Sequence, residues 1–116
     1  MSRRRKAGQR RDRRRPDHFT KKAKEDGYAA RSVYKLEEIQ KRFRVLARGQ
    51  RVVDLGCSPG SWSRYARERI GRQGALLGVD LTEVADYPGT QIVGSILDLD
   101  RGAVESALGG PPDVLL

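Results

Sequence analysis

Cysteine, histidine, methionine and tryptophan each occur once in this chain, and phenylalanine only twice. With Cys57 alone, no intramolecular disulfide can form, and a reducing, cytoplasmic setting is expected. His18 is the sole histidine and sits in polar sequence, so no Cys/His cluster exists for zinc and no metal partner is expected. No run approaches the ~20 apolar residues of a membrane-spanning helix. The N-terminal charges are not followed by an apolar stretch, which argues against a secretory signal. That segment is rich in Arg but holds only Ser2 and has no apolar helical face, which argues against a transit peptide. What remains is a chain of 116 residues, 37% hydrophobic and 34% charged, sufficient for one small domain with a modest core.

Acid is nearly missing from the N-terminus. Residues 1–15 carry nine Lys/Arg against Asp12 alone, whereas the other 101 residues carry fifteen bases and fourteen acids. A block this charged cannot bury itself, so residues 1–16, ending at Pro16, are read as a disordered arm. Its expected partner is a nucleic acid, because Lys and Arg on a flexible arm gain affinity by releasing counterions from phosphates. The plainer alternative is a solubilising tail.

Residues 17–49 form an N-terminal helical segment. From about Ala29 to Phe43, Val33, Leu36, Ile39 and Phe43 recur at three- and four-residue steps, and Gly49 closes the unit. Over residues 50–116 the period changes. Arg51–Leu55, Ala75–Asp80, Gln91–Gly94 and Asp113–Leu116 read as strands; Ser61–Ile70 and Arg101–Leu108 read as helices. Strands alternating with helices specify an α/β fold with a parallel sheet. The fourth strand would leave Val114, Leu115 and Leu116 on an exposed edge.

The turn from Gly56 to Gly60 follows the first strand and opens a helix, where such sheets bind nucleotide-like ligands. Both glycines let backbone approach a ligand with no Cβ in the way. A dinucleotide site calls for Gly-x-Gly-x-x-Gly, and the spacing here is Gly-x-x-x-Gly. Asp54, two residues before Gly56, would repel a pyrophosphate but suits a ligand with an ammonium and a sulfonium. Asp80 ends the second strand 24 residues after Gly56 and can accept from ribose hydroxyls in either ligand. The residues therefore favour an adenosine ligand and tilt toward S-adenosylmethionine over a nicotinamide cofactor. Cys57 is read as a small turn filler, with no base beside it.

The run DLGCSPGSW resembles the DLG-x-x-PGGW cofactor loop of the FtsJ/RrmJ family of ribosomal RNA 2′-O-methyltransferases, with Ser61 replacing the second glycine of the pair. Arg31 to Gln40, RSVYKLEEIQ, resembles that family's R-x-x-[YF]-K-L-x-E-I segment. The resemblance runs from about His18 to Leu116. It implies a Rossmann-like S-adenosylmethionine-dependent methyltransferase fold, here truncated after the fourth strand. It implies Asp54, Gly56, Gly60, Trp62 and Asp80 around S-adenosyl-L-methionine, and Lys35 as the first lysine of a Lys-Asp-Lys-Glu catalytic set. Where the family has an adenine-side aspartate this chain has Ser95, with Asp98 three residues on; either Asp98 substitutes or the adenine contact is weaker. The other three catalytic residues are expected beyond Leu116, so the 116-residue chain alone is expected to be inactive. The implied partner is RNA, in large-subunit ribosomal RNA or the ribosome. Two rival readings stay open at this point: a non-catalytic RNA-binding fragment using the basic arm, and a nicotinamide-dependent oxidoreductase fragment.

Overall fold

A computed structural model of the chain describes residues 32–116. The arm expected over residues 1–16 lies outside the described residues, as does the first part of the helical segment 17–49. Helix α1 spans Val33–Phe43 and is followed by strand β1, Arg51–Leu55. Helix α2, Ser61–Ile70, leads to β2, Ala75–Asp80, and then β3, Thr90–Val93. A short 3-10 turn over Ile96–Asp98 precedes α3, Arg101–Leu108, and β4, Val114–Leu115. The 3-10 turn is not expected from the sequence: three residues are too few to show a period.

The four strands form one parallel sheet in the order β3-β2-β1-β4. The chain steps outward from β1 to β2 to β3, then crosses back to place β4 on the other side of β1. The order therefore reverses between β1 and β4, and the crevice outside the carboxyl ends of these strands is where open α/β sheets take ligands.

Side chains alternate across the sheet with period two. Val52 and Leu76 face α1 and α2, in a core with Val33, Leu36, Leu46, Tyr65, Ala66 and Ile70. Val53, Leu77 and Val79 face the opposite layer, where Leu108 of α3 covers them. Leu36 is fully buried at the centre of the first layer. Truncating such a side chain to alanine typically costs ~2–5 kcal/mol.

Helix α1 buries only part of its expected stripe. Val33 and Leu36 are buried, Ile39 is half-buried, and Phe43 is 67% exposed with the Arg42 guanidinium 5.7 Å from its ring centre. The reason is local. Arg44 takes a left-handed conformation (φ 50°) and ends the helix before Phe43 reaches the sheet. The Gln40 side chain then clasps the returning backbone. Its Nε2 donates to the Leu46 carbonyl and its Oε1 accepts from the Leu46 N–H, both at 2.9 Å. Leu46 thus enters the core in the place the pattern assigned to Phe43.

Strand β4 is an edge, as expected, but a partly covered one. Val114 and Leu116 pack against the first core layer, and only Leu115 is largely exposed, at 66%. Its hydrogen bonds to β1 continue past the strand: the Leu116 N–H donates to the Val53 carbonyl at 2.8 Å.

Candidate functional site

The turn after β1 is built onto the end of β2. The N–H groups of Gly56 and Cys57 both donate to the Val79 carbonyl, at 2.7 and 3.2 Å. The Ser58 N–H donates to Oδ2 of Asp80 at 3.0 Å, and Oδ1 of Asp80 accepts from Thr82 N–H at 2.8 Å. Three successive turn N–H groups are therefore consumed within the protein. A pyrophosphate cradle needs such groups aimed at the ligand, so this geometry agrees with the sequence spacing in disfavouring a dinucleotide. Gly60 closes the turn at φ 106°, a conformation L side chains rarely adopt, and its Cα faces Val84. Helix α2 starts at the next residue.

Beneath the turn lies a buried polar chain that the sequence does not announce. Asp54 is 3% exposed. Its Oδ2 accepts from the Ser63 hydroxyl at 2.6 Å, and Ser63 Oγ in turn lies 2.6 Å from the Tyr87 hydroxyl. With Ser63 donating to the carboxylate, Tyr87 is left to donate to Ser63. Burial pushes the Asp54 carboxyl above its usual range; the Ser63 hydrogen bond pulls it partly back, and the charge of Asp80 adds to the rise. The Tyr87 phenol is pushed up as well, chiefly by burial. Cys57 sits in the same cluster, and burial, with Asp54 and Asp80 nearby, raises its thiol to about 11. It is a free, buried thiol packed in the turn.

Asp80 is the opposite case. Backbone N–H groups of Thr82 and Ser58 hold its carboxyl below the usual range, so it is an ionised acceptor at neutral pH. Each oxygen keeps a lone pair beyond the one it has given to the backbone.

A cavity of about 280 Å³ opens at the carboxyl ends of β1 and β4. Ser32, Asp54, Gly56, Ser58, Trp62 and Leu116 are among the residues lining it. The Trp62 indole N–H donates to the Ser32 carbonyl at 3.0 Å, which ties the start of α1 to the start of α2 and fixes one wall. Of the residues singled out in the sequence, the cavity brings together Asp54, Gly56 and Trp62. Gly60 and Asp80 flank the turn outside it. Asp98 is exposed in the 3-10 turn, and Ser95 caps that turn by accepting from the Leu97 N–H at 3.1 Å. Lys35 is exposed on the first turn of α1, its N–H donating to the carbonyl of the cavity-lining Ser32 at 3.0 Å. Among the described residues no group of three His, Cys, Asp or Glu is placed to hold a metal ion, and no helix is long and apolar enough to cross a membrane.

Sequence reasoning misses Ser63 and Tyr87. Ser63 is visible as a polar residue within the α2 pattern, one step from the apolar face. Tyr87 stands in a stretch that reads only as loop.

This site lies wholly within residues 28–116, which match the FtsJ-like methyltransferase family. The chain belongs to that family. Among its relatives, the ribosomal RNA large subunit methyltransferase E of Desulfosudis oleivorans is 49% identical over 104 residues, covering 87% of this chain and 50% of that protein. The protein of the same name from Sorangium cellulosum is 53% identical over 105 residues, covering 88% and 49%. A solved structure described as a ribosomal RNA methyltransferase from Plasmodium falciparum superposes with a TM-score of 0.59 at 25% identity, over 71% of this chain and 50% of that one. The chain spans about half the length of the curated relatives it matches. Family membership and the parallel α/β sheet agree with the methyltransferase fold expected from the two motifs.

Proposed function

We propose that this chain forms the cofactor-binding half of an RNA 2′-O-ribose methyltransferase that uses S-adenosylmethionine and acts on large-subunit ribosomal RNA. The observation that carries this reading is the glycine turn itself. Three of its four N–H groups, those of Gly56, Cys57 and Ser58, are spent on Val79 and Asp80, while carboxylates stand below it at Asp54 and beside it at Asp80. Such a site repels a pyrophosphate and suits a cationic adenosine ligand. The residues present fit S-adenosylmethionine on that ground. The cavity, near the lower end of the range for small-molecule sites, takes one end of an elongated ligand, with Asp54, Gly56 and Trp62 at its walls. Asp80 and, at the adenine side, Asp98 or Ser95 continue the site along the same carboxyl edge of the sheet.

When bound, S-adenosylmethionine supplies an electrophilic methyl group. The protein's part is placement and electrostatics. Asp54 holds a positive charge under the turn, Gly60 lets the backbone pass close, and Asp80 accepts from the ribose. Lys35, on the family's first catalytic position, orients the attacking RNA 2′-hydroxyl; that hydroxyl also distinguishes RNA from DNA. Residues 1–16 grip phosphates without reading sequence, and residues 50–116 are the N-terminal half of the catalytic domain.

Calorimetry with S-adenosylhomocysteine and NAD, each titrated into the 116-residue chain, tests the reading. Binding of the first and not the second is expected. Preference for NAD would reinstate the oxidoreductase reading, and binding of neither, alongside retained RNA binding, would leave the non-catalytic RNA-binding one.

A further inference from the structure

Charge in the described residues is sorted along the chain. Residues 32–72 hold ten Lys/Arg and four acids, whereas residues 73–116 hold Arg101 alone against seven acids. The fold turns this into a spatial separation. Helices α1 and α2 both begin at the cofactor end, where Ser32 and Trp62 meet, and both run down to the opposite end, where the strands enter the sheet. There the link after α1 is pinned to the end of α2 by Gly49 N–H donating to the Ile70 carbonyl at 2.9 Å. A Cβ on Gly71 would lie 3.2 Å from the Arg48 guanidinium, which locates Arg48 over the α2–β2 turn. Arg44, Arg48, Arg69 and Arg72 are all exposed at this end.

Among the described residues the acids that could neutralise them are few. Asp113 is at this end, but its Oδ2 already accepts from the Arg51 N–H at 2.8 Å. Glu68, two residues before the end of α2, offsets one of these charges. Glu37 and Glu38 stand one turn before Lys41 and Arg42 on α1, a spacing at which they neighbour those two. Cations at helix C-termini also complement the helix dipole, but Arg48 and Arg72 lie in links beyond the helices. Clustered arginines with weak neutralisation fit the phosphodiester backbone of a nucleic acid.

We propose that this strand-entry face, with Arg44, Arg48, Arg69 and Arg72, is a second contact surface for the RNA backbone, remote from the cofactor end. The proposal rests on the reading of RNA as substrate. The length of β1, five residues at about 3.3 Å each, separates the two ends by roughly 15–20 Å. A trinucleotide centred on the cofactor end reaches only about half its own length toward this face, whereas a folded ribosomal RNA fragment covers both.

The test compares the full chain with an Arg44→Gln, Arg48→Gln, Arg72→Gln variant, and with Arg72→Gln alone, at an exposed turn position, folding of each being checked by circular dichroism. Fluorescence anisotropy follows binding of a structured large-subunit ribosomal RNA fragment and of a trinucleotide across a range of salt. For the long RNA, the slope of log affinity against log salt should become shallower by about 2 in the triple variant and by about 0.7–0.9 in the single one. The trinucleotide slope should not move. Unchanged slopes for the long RNA, or an equal loss on the trinucleotide, would overturn the second surface. Failure of the methyltransferase reading shows separately, as absence of S-adenosylhomocysteine binding by the wild-type chain.

Discussion

Replacing Ser63 with alanine probes the polar chain under the cofactor turn. The hydroxyl donates to a carboxylate that is 3% exposed and accepts from a phenol that lies over the sheet. Loss of a hydrogen bond to a charged group costs ~1.5–3 kcal/mol, and loss of the neutral partner of Tyr87 about 1 kcal/mol more. The expected total near neutral pH is therefore about 3 kcal/mol, a large share of the stability of a small domain. The pH dependence is more diagnostic than the size. The folded-state pKa of Asp54 lies above its unfolded value, so folding takes up a proton between the two. That contribution to stability is fully present below the unfolded value and is lost as pH rises through the folded one. Ser63 lowers the folded value; its removal raises it further and deepens the loss at higher pH. Urea unfolding of both proteins should show a larger difference near pH 7.5 than near pH 4, which is about the unfolded-state carboxyl value. In an Asp54→Asn background the same serine substitution should lose this dependence. A stability difference that is flat with pH in the Asp54 protein would refute the link between Ser63 and the Asp54 charge.

Other expectations rest on local geometry. Gly78→Ala puts a methyl group against the Tyr87 ring and hydroxyl, and 2.8 Å from Cys57 Sγ; a loss of about 1–3 kcal/mol is expected by chemical denaturation, partly relieved by Tyr87→Ala. Asp80→Asn loses the charge that holds the Ser58 and Thr82 N–H groups, and S-adenosylhomocysteine affinity should fall roughly tenfold or more by calorimetry; unchanged affinity would remove Asp80 from the site. Cys57, with its thiol near 11 and its side chain buried, should resist iodoacetamide at neutral pH and react only on unfolding, as read by mass spectrometry. Deleting residues 1–15 should flatten the salt dependence of RNA binding by about 0.7 for every phosphate the arm neutralises; an unchanged slope would make the arm a solubilising tail.

The local half of this protein is legible in the order of its residues. A switch from helical to strand period at Arg51 marks where the sheet begins, because an amphipathic helix and a buried strand impose different spacings on their apolar residues. The turn between β1 and α2 is legible because its glycines and flanking acids are close in the chain and follow a fixed order. What joins distant segments is not legible. Ser63, Gly78 and Tyr87 lie 15 and 9 residues apart along the chain, yet meet over one strand, and no pattern in any of the three segments signals that Tyr87 covers Gly78. Helix α1 carries an apolar residue at position 43 that the period assigns to the core; the left-handed turn at Arg44 and the Gln40 clasp on Leu46 decide otherwise. The net charge places basic residues in the arm, and those on α1, α2 and their links read as ordinary surface. Only the antiparallel run of both helices against β1 gathers Arg44, Arg48, Arg69 and Arg72 at one end, since charge is summed along a sequence but acts through space.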